Sequence, residues 1–126
     1  MRRVIVTGSR EWADHDSVTW ALDAELRMHG AMTVVHGDCP TGADAIAAAW
    51  AREAGSRGSR VTAEPHPADW GRHGKAAGPI RNQQMVDLGA DVCLAFPLGR
   101  SPGTRHCMKA ARKAGIPVVN QGEREQ

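Results

Sequence analysis

The chain has 126 residues, of which 41% are hydrophobic and 24% charged, and a formal net charge of +2. This is the length of one domain and the composition of an ordinary globular protein, which excludes disordered, collagen-like and fibrous chains. A charge this small does not announce a nucleic-acid binder, although the bases are nearly all arginine: only Lys75, Lys109 and Lys113 are lysines.

Arg3-Val4-Ile5-Val6-Thr7 is rich in β-branched residues and stops at Gly8, the pattern of a buried parallel strand. Asp14 or Asp16 starts a helix in which Val18, Leu22 and Leu26 recur every four residues, and Gly30 ends it. Met32 to Val35 is a second strand, stopping at His36-Gly37. Ala43, Ala47 and Ala51 form one row of an alanine-rich helix, Ile46, Trp50 and Ala54 the next, and Gly55 ends it. Arg60 to Glu64 is a short third strand. Pro65 to Gly78 reads as a long loop with Trp70 to order it, and such loops in compact domains are usually functional or disordered. A helix follows with Pro79 in its first turn and Ile80, Gln84 or Met85, and Leu88 facing inward, and ends at Gly89. Asp91 to Phe96 is the fourth strand and residues 97–104 a loop. Thr104 caps a helix running to about Ala114, which Gly115 closes. Ile116 to Val119 is the last strand, placed at an edge by Pro117. Gln121 to Gln126 is a polar tail.

Alternation of this kind predicts an α/β fold: a five-stranded, mostly parallel sheet with helices on both faces, in one domain over residues 1–120 with residues 121–126 as the tail. Right-handed crossovers leave two strand orders, 3-2-1-4-5 and 2-1-3-4-5, and in either one ligands bind beyond the carboxyl ends of the strands. Cys39, Cys93 and Cys107 are odd in number and lack ligand spacing, which argues against a disulfide framework and a structural zinc. No secretory apolar region follows Met1 and no apolar run is long enough to cross a bilayer, so the expected location is the cytoplasm.

The strand-end loops hold the unusual residues. After the first strand, Gly8 and Ser9 let a ligand approach the backbone. Arg10 could pair with a phosphate, and Glu11 could bind a ribose hydroxyl or act as a base. After the second, Gly37 and Asp38 lead to Gly42-Ala43-Asp44 at a helix start, an anion-binding pattern that is neither a P-loop nor GxGxxG. Asp38 is the expected ligand contact there, with Asp44 either beside it or complementing the helix dipole. The third loop brings Lys75 and then Arg81 and Asn82 on the following helix. Trp70 either stacks on a base or anchors the loop. The fourth ends in Gly103-Thr104 at a helix start, and His106 reads as a solvent-facing helix residue. His66 and His73 read as exposed. Together the loops call for one shared phosphorylated guest. Asp38 and Asp44 could hold a magnesium ion beside its phosphate; no other metal site is expected. Few aromatic residues and little charge speak against nucleic acid as the partner. Trp12, Trp20 and Trp50 belong either to the core or to a homodimer interface.

Val4-Ile5-Val6-Thr7-Gly8-Ser9-Arg10, His36-Gly37 with Gly42-Ala43-Asp44, Gly78-Pro79-Ile80-Arg81-Asn82, and Phe96-Pro97 with Gly103-Thr104 resemble the SLOG superfamily, and within it the small YspA/YpsA-related proteins of bacteria and phages. The resemblance spans roughly residues 3 to 119. It implies a Rossmann-like three-layer fold and a nucleotide or nucleotide-derived ligand; the four loops, without the catalytic glutamate of a related branch, read as a sensor or sequestering module. Related branches are the Lonely Guy phosphoribohydrolases, which release a base from a nucleoside monophosphate, and the single-strand-binding protein DprA; SLOG proteins are often dimers. Gly103-Thr104 is similar to the GT of the Lonely Guy pattern and Arg81 to its helical arginine. Arg105, His106 and Cys107 stand where the catalytic glutamate follows in that pattern. The alternative reading, a hydrolase cleaving an N-glycosidic or phosphate bond, therefore needs Glu11 or Asp38 as its carboxylate.

Overall fold

The computed structural model describes residues 1–122; residues 123–126 of the expected polar tail lie outside it. Five strands run β1 (Arg2–Gly8), β2 (Ala31–His36), β3 (Arg60–Pro65), β4 (Val92–Phe96) and β5 (Val118–Asn120). They form one all-parallel sheet in the order β3-β2-β1-β4-β5, the first of the two expected orders. The helices are α1 (His15–His29), α2 (Gly42–Ser56), α3 (Trp70–His73), α4 (Ala77–Asp87) and α5 (Pro102–Lys113).

Strand alternation divides the core between the two faces of the sheet. Val4, Val6, Met32, Val34, Leu94 and Phe96 point to the face covered by α1 and α2, where Val18, Leu22, Ala43 and Ala47 meet them. Ile5, Val35 and Cys93 point to the other, against Met85 and Val86 of α4 and Cys107 and Ala111 of α5. Full burial of a side chain such as Phe96 or Leu22 stabilises the fold by roughly 1.5–3 kcal/mol. Trp12 closes one end of the first core, its ring edge-on to Phe96 at 5.4 Å. Of the other tryptophans in question, Trp50 packs partly against the same core, while Trp20 is 73% exposed.

Three local readings need correction. The stretch from Pro65 to Gly78 is not all loop: it holds α3, capped by Asp69 accepting the Arg72 amide at 3.0 Å, and a 3₁₀ turn over Gly74–Ala76. α4 begins at Ala77, with Pro79 in its first turn as expected, where no carbonyl awaits its missing N–H. Its buried face holds Ala77, Gly78, Asn82, Met85 and Val86, so of the Gln84-or-Met85 pair Met85 turns inward and Gln84 is exposed, while Leu88 is 60% exposed at the helix end. Thr104 is not a cap either. Ser101 takes that position and Pro102 opens α5, placing Thr104 inside the first turn. β5 is the edge strand that Pro117 implied.

Candidate functional site

In this order the chain leaves β1 toward β2 and returns through β4 on β1's other side, so the loops after β1 and β4 part above the middle of the sheet. A cleft of about 1040 Å³ opens there. Arg10, Asp38, Arg81 and Thr104, distant along the chain, all line it.

The β1 loop is held from three sides through Ser9. Its amide donates to the Phe96 carbonyl at 3.0 Å, and its own carbonyl accepts from Trp12 N at 3.2 Å and Ala43 N at 3.3 Å. Its hydroxyl accepts the Glu11 amide at 3.1 Å. Glycine is required at both contacts with α2. A Cβ on Gly8 would lie 2.5 Å from that of Ala43, and one on Gly42 (φ +74°) would run into the Ser9 carbonyl and sit 2.6 Å from Arg10 Cα. Gly8, Ser9, Arg10 and Glu11 line the cleft, whereas Gly42 and Ala43 do not: they brace the loop from below, Ala43 within the core.

The loop after β2 turns sharply at Asp38, exposed and in the left-handed region at φ +56°. Its amide donates to His36 Nδ1 at 3.0 Å, so neutral His36 carries its proton on Nε2. Burial, with His66 and Arg81 nearby, pushes the His36 pKa below its usual value against the opposing pull of Asp38. Asp44, in the first turn of α2, is only 7% exposed yet lines the cleft. Burial pushes its carboxyl up to about 6, although Arg81 and the amides of Cys39 and Gly37 favour the charged form. Gly37 lies between these two groups: a Cβ there would collide with the Arg81 guanidinium and sit 2.9 Å from Asp44 Oδ2.

Arg81 and Asn82 clasp the site together. Arg81 Nη1 donates to the Gly37 and His66 carbonyls, and Nε to Asn82 Oδ1 at 2.9 Å. Buried Asn82 in turn donates to the Gly103 carbonyl at 3.1 Å and meets His106 Nδ1 at 3.4 Å. Two adjacent residues of α4 thus tie the ends of β2 and β3 to the start of α5. Arg81 Nη2 makes no hydrogen bond among the described residues. Gly37 and Gly103 also line the cleft, as does Lys75 on the 3₁₀ turn. Trp70 is 49% exposed at the rim, outside both cores, with the Arg10 guanidinium 5.5 Å from its ring centroid. It is a rim residue, not a core anchor.

Among the residues that drew no functional notice in the sequence, Thr7, Cys39, Met85, Ser101 and His106 also line the cleft. His106 is half-buried and lines the cleft instead of facing solvent on α5. Ser101 adopts a left-handed φ of +41°, accepting the Leu98 amide and donating to Thr104 Oγ1, both at 3.3 Å. His66 is likewise not free in solvent: its Nε2 lies 2.8 Å from Glu64 Oε2, and Arg3 holds the same carboxylate from the other side. The three cysteines are unpaired, Cys93 and Cys107 buried and Cys39 half-buried. Among the described residues no group of three His, Cys, Asp or Glu side chains could hold a metal ion, and no helix is long and apolar enough to cross a membrane. A cation at Asp38 and Asp44 would need further ligands from a bound molecule.

Gene 61 protein of Mycobacterium phage D29 is 58% identical to this chain over 125 residues, which is 98% of this chain and 99% of that protein. A hydrogenase C-terminal domain from Pyrococcus furiosus, seen in two crystal structures, superposes with TM-scores of 0.50 and 0.51 at 16% and 17% identity. The matches cover 95% and 94% of this chain and 91% and 89% of those chains, a likeness of fold alone. The model of the YspA, cpYpsA-related SLOG family matches residues 2–73, from β1 through α3. That span includes the loops that carry Gly8 to Glu11 and Gly37 to Asp44 and reaches Trp70, and on it the chain belongs to the YspA, cpYpsA-related SLOG family.

Proposed function

We propose that the chain binds a nucleotide or nucleotide-derived phosphorylated molecule in the cleft at the carboxyl edge of the sheet, as a sensor or sequestering module. The carrying observation is the convergence of Arg10, Lys75 and Arg81 with the first turns of α4 and α5 around one cavity. Helix N-termini and forked guanidinium donors are the chemistry that recognises phosphate. Nη2 of Arg81 supplies two donors on a side chain whose other nitrogens are already fixed to the protein. Membership of a SLOG family agrees with a nucleotide-related role. Gly103, with open space where a side chain would stand, leaves backbone accessible to a close-lying ligand, and Trp70 offers a flat surface at the rim. The test is calorimetric titration with nucleoside monophosphates, nucleoside diphosphates, NAD and ADP-ribose against the matching nucleosides. Binding that follows the phosphate, and a loss of tenfold or more in Arg81→Ala for phosphorylated ligands only, is the expected result. Equal losses for nucleosides would remove Arg81 from the phosphate role.

A second reading, hydrolysis of an N-glycosidic or phosphate bond, is favoured by one observation. Asp44 is a carboxyl held at about 6 inside the cleft, in the range useful to a general acid or base. Glu11 and Asp38, the carboxylates that the sequence pointed to, are the exposed members of the same lining. Chromatography of incubated nucleotides tests it: freed base or ribose phosphate that disappears in Asp44→Asn, Glu11→Gln or Asp38→Asn makes the protein an enzyme and names its carboxylate. Ligands recovered intact leave the binding role alone.

A further inference from the structure

Arg10 and Trp70 both line the cleft, one on the loop after β1 and the other opening α3. The guanidinium carbon stands 5.5 Å from the centroid of the Trp70 ring. Trp70 does not drift at the rim, because its ring edge rests on Gly78 at the start of α4: a Cβ at Gly78 would come to 3.3 Å from the ring's Cη2. Arg10 itself leaves a backbone that is pinned through Ser9 and Gly42. Two fixed supports therefore present a flat aromatic face and a guanidinium to each other. An aromatic face accepts either a guanidinium or a flat heterocycle, but each occupant excludes the other from the same area.

Building on the nucleotide-binding reading, we infer that Arg10 and Trp70 form a discriminating pair: the guanidinium covers the indole face, and a base gains that face when the same ligand carries a phosphate that draws Arg10 away. The favoured ligand class is then one that joins a flat heterocycle to a phosphate in one molecule. Nucleosides, free bases and inorganic phosphate each satisfy half of the exchange. A nucleoside must displace the cation with nothing to receive it. Inorganic phosphate can receive the cation but leaves the indole face uncovered. The exchange couples the two ends of the ligand without any movement of the sheet.

The coupling has a crossed signature. Arg10→Ala uncovers the indole and removes a phosphate partner in one change. Ribonucleosides should bind the variant about threefold more tightly, the size of one exposed cation–π contact. Their 5′-monophosphates should bind it tenfold or more weakly. Affinities for the four ribonucleosides and their monophosphates would be measured by saturation-transfer NMR and calorimetry on wild type and Arg10→Ala. Tryptophan emission, compared with Trp70→Phe, would report the stacking: monophosphates should quench the wild type and leave Trp70→Phe unchanged. The inference is overturned if Arg10→Ala leaves nucleosides no tighter than in the wild type, or if quenching persists in Trp70→Phe. Should the wild type bind no monophosphate at all, the nucleotide reading fails and takes the pair with it. Monophosphate binding without the crossed effect sinks only the pair.

Discussion

Asp44 shows how one side chain can connect stability to the site. Its carboxyl is held at about 6 by burial, against an unfolded value near 3.9. A raised carboxyl pKa means that the native state holds the proton more tightly than the unfolded chain. The associated stability is present below about pH 4 and is lost as the pH rises toward 6. Removing the charge should therefore help at neutral pH: Asp44→Asn is expected to gain roughly 2–3 kcal/mol at pH 7 and little at pH 4, read from urea midpoints across that range. His36 works in the opposite sense. Its lowered pKa favours the native state as pH rises toward 6.5, so the difference between variant and wild type isolates Asp44. Glu64 occupies a separate window. Arg3 and His66 hold it down to about 2, so its contribution is present above about pH 4.5 and fades as acid protonates it. It is partly exposed, and solvent keeps that contribution small. Cys39 offers a further check. It lines the cleft, while Cys93 and Cys107 are buried and a neighbouring thiol with burial pushes Cys93 up. One thiol should react quickly with Ellman's reagent in the folded protein, and a ligand seated in the cleft should slow it.

At the scale of elements, the helix starts set the geometry. α1 opens on Asp14, whose side chain accepts the Ser17 amide at 3.2 Å, while Ser17 Oγ donates back to the Asp14 carbonyl at 2.9 Å. Asp14→Ala should cost about 1 kcal/mol in chemical denaturation, with no change in ligand affinity, since neither Asp14 nor Ser17 lines the cleft. α2 differs. Its cap residue Thr41 makes no side-chain cap bond, and its start is fixed by contact with the β1 loop through Gly42 and Ala43. Gly42→Ala combines a positive φ with a collision against Ser9. A loss of roughly 2 kcal/mol or more is expected, together with weakened binding, because the loop carrying Arg10 must move. The helix phases were readable in part. Val18 and Leu22 sit in the core as their spacing required. In α4 the inward turn falls on Met85, one of the two residues the spacing allowed, while Leu88 lies past the last helical residue, where the spacing of the helix no longer sets its direction.

For the whole molecule, the decisive feature is that β1 and β4 are neighbours while their outgoing connections run to opposite faces of the sheet. That divergence opens the cleft, and the candidate ligand contacts reach it from strand ends, the first two turns of helices and the 3₁₀ turn. Periodicity and punctuation in the chain were enough for the parallel α/β architecture, the strand that takes the edge and the loops that hold the chemistry, because local spacing of apolar residues and glycines is written residue by residue. It could not choose between two strand orders, since both satisfy the same crossovers.

Nor could local pattern divide ligand-facing groups from those that brace them. Gly42, Ala43 and the amide of Asn82 look like binding chemistry in the chain but are taken up by contacts inside the protein, and His106 and Asp44 gain their place in the cleft from packing. Hydrogen bonds between residues tens of positions apart, such as Arg81 to Gly37, and burial itself exist only once the layers close. The polypeptide by itself determined the fold class and the set of loops; which atoms of those loops remain available to a ligand was decided by tertiary structure, because desolvation and long-range partnering are properties of the assembled layers.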